Sequence, residues 1–128
     1  MALKRVVVTG LGALTPIGNN LNDFWTGLIE GKSGAAPITY FDTEKFKTKF
    51  ACELKDFDVF LHLDRKQQRK MDRFTQYGMV STEEAIQDSG LDLEKIDKLR
   101  VGVIWGSGIG GIETFQNQML DHASGDGT

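Results

Sequence analysis

The sequence predicts an α/β fold assembled from strand–loop–helix units around a buried parallel sheet. Two stretches carry that expectation. Val101-Gly-Val-Ile-Trp105 holds almost no polar content and runs into the glycine cluster Gly106-Ser-Gly-Ile-Gly-Gly111. Arg5-Val-Val-Val8, followed by Gly10, Gly12 and Gly18, repeats the arrangement near the N-terminus. A short apolar run without alternation fits a strand covered on both faces, whereas a strand with one wet face would alternate. Glycine loops at strand ends leave backbone N–H groups open to approach, and α/β proteins place ligands there.

The elements follow in order. After the first strand, Pro16 denies Thr15 a helical conformation. Asn20 is a good N-cap, and Leu21, Phe24, Trp25, Leu28 and Ile29 then lie at helical spacing with Gly31 as a stop. Residues 32–42 read as loop. From Lys47 to Lys55, Phe50, Cys52 and Leu54 alternate with Lys49, Ala51, Glu53 and Lys55, which predicts a half-buried strand or an extended arm with the thiol facing the core. Residues 56–64 carry too many apolar groups to lie wholly in water. The longest predicted helix runs from Asp64 to Ser89 and ends at Gly90. On a continuous helix Arg65, Lys66, Arg69, Lys70 and Arg73 would share an arc of about 140° at its N-terminal end, where the helix dipole disfavours cations. A charged connection, 91–99, returns to the second strand. Ile112, Phe115, Met119 and Leu120 predict a closing helix over 112–122.

Two central strands are fewer than a parallel sheet ordinarily has. The expectation is therefore that part of the sheet lies outside these 128 residues and that the chain stops inside a loop at 124–128. Composition is that of a globular segment, 40% hydrophobic and 26% charged, with a net charge of −3 that gives no reason to expect nucleic acid. No apolar run approaches the roughly 20 residues of a membrane span, and no signal-peptide apolar core opens the chain. A single cysteine forms neither an internal disulfide nor a multi-thiolate metal site. These features point to a cytoplasmic protein.

Candidate chemistries divide unevenly. Gly106, Gly108 and Gly111 spell G-x-G-x-x-G between a strand and a helix, the pattern of a Rossmann-like nucleotide-binding domain. The acidic residue such a fingerprint needs about 20 residues on would be Asp126, which has no strand before it. The alternative is that these glycines only let backbone and helix pack closely. Cys52 reads as a packing thiol rather than a nucleophile, since it lacks an activating base. His62 and His122 stand in no metal-ligand spacing. No catalytic residue, metal or cofactor is expected in this chain. The basic cluster is different: five cations in nine residues of an acidic chain suit an acidic or phosphate-bearing partner.

Assembled, these motifs resemble the N-terminal part of the β-ketoacyl-[acyl carrier protein] synthases, most closely type II. The resemblance rests on Arg5-Val-Val-Val-Thr-Gly-Leu-Gly12, Thr15-Pro-Ile-Gly-Asn19 and Lys49-Phe-Ala51. It continues through Arg65-Lys-Gln-Gln-Arg-Lys-Met-Asp72, Gln76-Tyr-Gly78, Gln87-Asp-Ser-Gly-Leu91 and Gly106-Ser-Gly-Ile-Gly-Gly111. It implies a thiolase-like fold, layered αβαβα in the complete enzyme, of which residues 1–128 would be the incomplete N-terminal portion. It implies a homodimer catalysing decarboxylating condensation of an enzyme-bound acyl thioester with malonyl-[acyl carrier protein]. The family's cysteine nucleophile and its two histidines belong to later segments, so the chain alone is expected to be inactive. Ile109, with Gly108 beside it, matches the family position at the inner end of the acyl pocket. Arg65, Lys66, Arg69 and Lys70 match the patch where the acidic carrier protein docks. A non-catalytic fragment that binds carrier protein through this patch is the remaining alternative.

Overall fold

Asn20 sets the first helix as its residue type predicts. Its backbone is extended, its side chain accepts from the Asp23 N–H at 2.9 Å, and α1 runs Leu21–Ile29. Gly31 ends it with φ +67, a left-handed conformation that costs glycine little. The computed structural model describes residues 3–125. They fall into two compact units, the first comprising residues up to Phe57 with Val80–Asp92, the second Asp58–Met79 with residues from Leu93 onward.

In the first unit a tight turn closes Thr15 on Gly18, with backbone bonds of 2.9 and 3.2 Å in both directions. A two-stranded antiparallel ladder pairs β1 (Ala36–Pro37) with β2 (Phe50–Ala51), Ala36 opposite Ala51 and Pro37 opposite Phe50. Pro37 has no N–H to donate, which suits so short a ladder. The chain from Gly10 to Ala13 lies directly on the C-terminal part of α3 (Arg73–Ser89). A Cβ on Gly10 would fall 2.2 Å from the Ala85 carbonyl oxygen, and one on Gly12 would fall 2.0 Å from that of Ser81. Glycine is required at both. Two α3 carboxylates fasten the same stretch. Glu84 accepts from the N–H groups of Ala13 at 2.8 Å and Leu21 at 2.7 Å, and Asp88 from that of Leu11 at 2.8 Å.

The second unit starts with a single 3-10 turn, Val59–Leu61, capped by Asp58. Asp64 and Gln67 then form a reciprocal capping box around the one-turn helix α2 (Arg65–Gln68). The predicted continuous helix over 64–89 is interrupted here. The side-chain amide of Gln76 donates to the carbonyls of Gln68 (3.2 Å) and Met71 (3.0 Å), taking acceptors that a continuing helix would use. Helix α3 starts afresh at Arg73, with the Asp72 carbonyl accepting from Thr75 and Gln76. The last helix, α4 (Ile112–Ser124), opens on Gly111 at φ +72 and closes on Gly125 at φ +83. It contains the predicted span and extends it by two residues.

Both predicted central strands are corrected. Residues 5–9 and 101–105 belong to no ladder, and their apolar side chains are open: Val6 is 88% and Ile104 100% exposed. A strand buried on both faces needs a neighbour on each edge and a layer on each side. None of the described residues pairs with either run. The predicted half-buried strand over 47–55 shrinks to Phe50–Ala51 without keeping its alternation, with Phe50 and Cys52 exposed and Ala51, Glu53 and Leu54 half-buried. Cys52 is therefore not a core thiol. The buried apolar side chains among the described residues are Leu63 and Val80, one in each unit. Asp126, which the dinucleotide fingerprint would need, lies outside the described residues.

Candidate functional site

The site is built in the second unit, from the segment 60–76 and the loop 105–114. Arg65 and Lys66 stand on α2, Arg69 and Lys70 on the turn that follows, and all four are exposed. Among the described residues none of them forms a salt bridge, so their charge is presented to solvent. The Arg65 guanidinium lies 6.0 Å from the centre of the Phe60 ring, a cation–π distance that steadies it without neutralising it. Arg73 behaves differently from its neighbours, pairing with Glu113 at 3.3 Å. The break after Gln68 also overturns the single 140° basic stripe. The cations follow a short helix and a turn instead of one helical face.

The glycine loop is attached at both ends. The Trp105 indole N–H donates to the Phe74 carbonyl at 2.9 Å, and its ring occupies the space that Gly78 leaves, where a Cβ would meet it at 2.6 Å. At the far end Gly110 lies against the Phe74 ring, 2.9 Å from where its Cβ would be. Gly111 adopts its left-handed conformation beside the Asp72 carboxylate. Asp72 in turn accepts a hydrogen bond from the Thr114 hydroxyl in the first turn of α4. Between these attachments a Cβ on Gly106 or Gly108 would meet nothing within 4 Å. Close packing therefore explains Gly110 and Gly111 and leaves Gly106 and Gly108 free.

Ile109 rides on the loop, 71% exposed, and lines an open groove of about 310 Å³. Met71, Asp72, Phe74, Ile112 and Thr114 line the same groove. The groove thus brings Ile109 to the residues that directly follow Lys70, while Gly108 is not among its lining residues. Among the described residues, His62 and His122 included, no group of three His, Cys, Asp or Glu side chains is arranged to hold a metal ion. No described helix is long and apolar enough to cross a membrane. Sequence reasoning missed Asp72, Glu113 and Thr114, because their partners lie some 40 residues away and no local pattern marks them.

Residues 3–127 match the family model described as the β-ketoacyl synthase N-terminal domain. The chain belongs to the β-ketoacyl synthase family. It is 47% identical over 115 residues to a protein of Synechocystis named 3-oxoacyl-[acyl-carrier-protein] synthase 2, covering 90% of this chain and 28% of that one. Among solved structures it is similar to the ishigamide ketosynthase/chain length factor, with TM-score 0.81, 34% identity, and coverage of 98% of this chain and 32% of that one. A ketosynthase of a type II polyketide system, solved with its acyl carrier protein and bound to a hexaketide, matches with TM-score 0.74 and 31% identity. The coverage there is 97% of this chain and 32% of the other. The chain therefore spans about a third of the length of these β-ketoacyl synthases and ketosynthases. Its fold class is their α/β, thiolase-like fold.

Proposed function

We propose that this chain is the N-terminal segment of a β-ketoacyl-[acyl carrier protein] synthase that elongates fatty acids. The observation that carries the reading is the 47% identity over nine-tenths of the chain to a protein named for that activity. The type II polyketide ketosynthase stands at 31%, which favours fatty-acid over polyketide chemistry. In the complete enzyme an acyl group is held as a thioester on a cysteine of a later segment. Malonyl-carrier protein loses CO2, the carbanion left behind attacks the acyl carbonyl, a C–C bond forms and the thiolate departs.

This segment's part is binding and placement. Residues 5–9 and 101–105 become sheet strands once neighbours pair with them. Arg65, Lys66, Arg69 and Lys70 present unneutralised charge to the acidic carrier protein. Exposed charges of one sign raise encounter rate and fix orientation more than they raise affinity. Ile109, with the unencumbered Gly108 beside it, gates the inner end of the acyl pocket. Homodimeric assembly and a cytoplasmic location belong to the same proposal and rest on the family resemblance.

A full-length synthase carrying this segment, supplied with acyl- and malonyl-loaded carrier protein, is expected to release CO2 and form a 3-oxoacyl-carrier product. The 128-residue chain is expected to form none. Absence of product from the full-length enzyme, together with binding of an adenine or nicotinamide nucleotide, would contradict the proposal.

A further inference from the structure

We infer that Asp72 and Arg73 are positioning residues that tie the Ile109 loop to the end of the basic segment, so that acyl-length selection depends on them. The inference deepens the reading just given and rests on Ile109 being the acyl gate.

Three observations carry it. First, the loop is anchored on both sides of Ile109 and free between the anchors. Trp105 donates a hydrogen bond to the Phe74 carbonyl on one side, Gly110 and Gly111 lie against Phe74 and Asp72 on the other, and a Cβ on Gly106 or Gly108 would meet only open space. Second, the far anchor extends into α4 through two polar contacts, Asp72 with the Thr114 hydroxyl and Arg73 with Glu113 at 3.3 Å. Third, Asp72 and Arg73 come two and three residues after Lys70, so carrier contact and gate position share one short backbone segment. A gate held by two contacts at its C-terminal anchor keeps one position and discriminates chain length. With those contacts removed, the glycines let Ile109 sample several positions, and the discrimination blurs.

The test uses a full-length synthase carrying this segment and compares kcat/KM for a long and a short acyl chain, both presented on carrier protein. Thr114→Val removes the hydroxyl at nearly constant shape and leaves the charge of 65–70 untouched. It is expected to shift the long-to-short ratio by roughly three- to tenfold, the scale of one hydrogen bond. KM for the carrier protein should stay where it is. Thr114→Ser should restore the ratio, and the exposed Glu113→Gln should move it in the same direction as Thr114→Val, which keeps the test open if the valine variant folds poorly. An equal loss on both chain lengths would mean a merely structural role and overturn the inference. Ile109→Ala separates the two levels. If it shifts the ratio while Thr114→Val and Glu113→Gln do not, the inference alone fails; if it leaves the ratio unchanged, the gate reading fails and the inference falls with it.

Discussion

At the scale of single residues, Glu84 does what no sequence pattern announces. Its two carboxylate oxygens take backbone N–H groups from Ala13 and Leu21, 71 and 63 residues away, one of them in the first turn of α1. Hydrogen bonds to a charged acceptor are stronger than neutral ones, and part-buried donors left without a partner are costly. Glu84→Ala is therefore expected to lower stability by about 1–3 kcal/mol, read as a shift in urea midpoint with unchanged slope. Glu53 gives a second residue-scale expectation. The Thr39 hydroxyl donates to it at 2.7 Å and the Thr39 N–H at 3.1 Å, and the hydroxyl above all holds its carboxyl below the usual glutamate range. A depressed pKa means the contact contributes above the ordinary glutamate pKa and is lost as pH falls through the folded value. Carboxyl NMR titration should place Glu53 below free glutamate, and Thr39→Val should move it upward. A midpoint unchanged by Thr39→Val would remove the hydroxyl as the cause.

At the scale of elements, helices were legible and strands were not, for a physical reason. Helices α1 and α4 satisfy most of their backbone groups internally, so a cap, a spacing and a terminal glycine suffice to place them. The strands at 5–9 and 101–105 need partners from elsewhere, and an apolar run cannot say whether those partners are at hand. The break after Gln68 escaped because Gln76, a helix-compatible residue by its own propensity, turns its amide back onto two carbonyls. Cys52 misled because alternation fixes two faces without saying which is inside. Hydrogen exchange on the chain checks this level. Amides of 6–8 and 102–104 should exchange at unstructured-peptide rates, while those in the middle of α3 are protected. Protection at 102–104 would mean that the run is paired after all.

At the scale of the whole molecule, the exposed apolar runs matter most. Val6, Val7, Val8, Val101, Val103 and Ile104 are all more than half exposed. Burying such side chains is worth roughly 1.5–3 kcal/mol each, so the six together leave unrealised on the order of 10 kcal/mol, comparable to the stability of a typical domain. Surface of that size and chemistry is what the remaining two thirds of a β-ketoacyl synthase would cover. The site was legible in part. The basic cluster stood out by charge alone, and Ile109 came from the family resemblance. That the two lie in one structural unit, joined through Asp72 and Arg73, required coordinates.

The central claim is that the exposed cations of 65–70 receive a carrier protein. Its most direct test is steady-state kinetics of a full-length synthase carrying Arg69→Ala and Lys70→Ala, with carrier-borne and small-thioester forms of the same acyl substrate. KM for the carrier-borne substrate should rise on the order of tenfold, more at low salt than at high, while the small thioester is turned over as before. An equal loss on both substrates would contradict the claim, because residues that meet only the carrier protein cannot affect a substrate that lacks it.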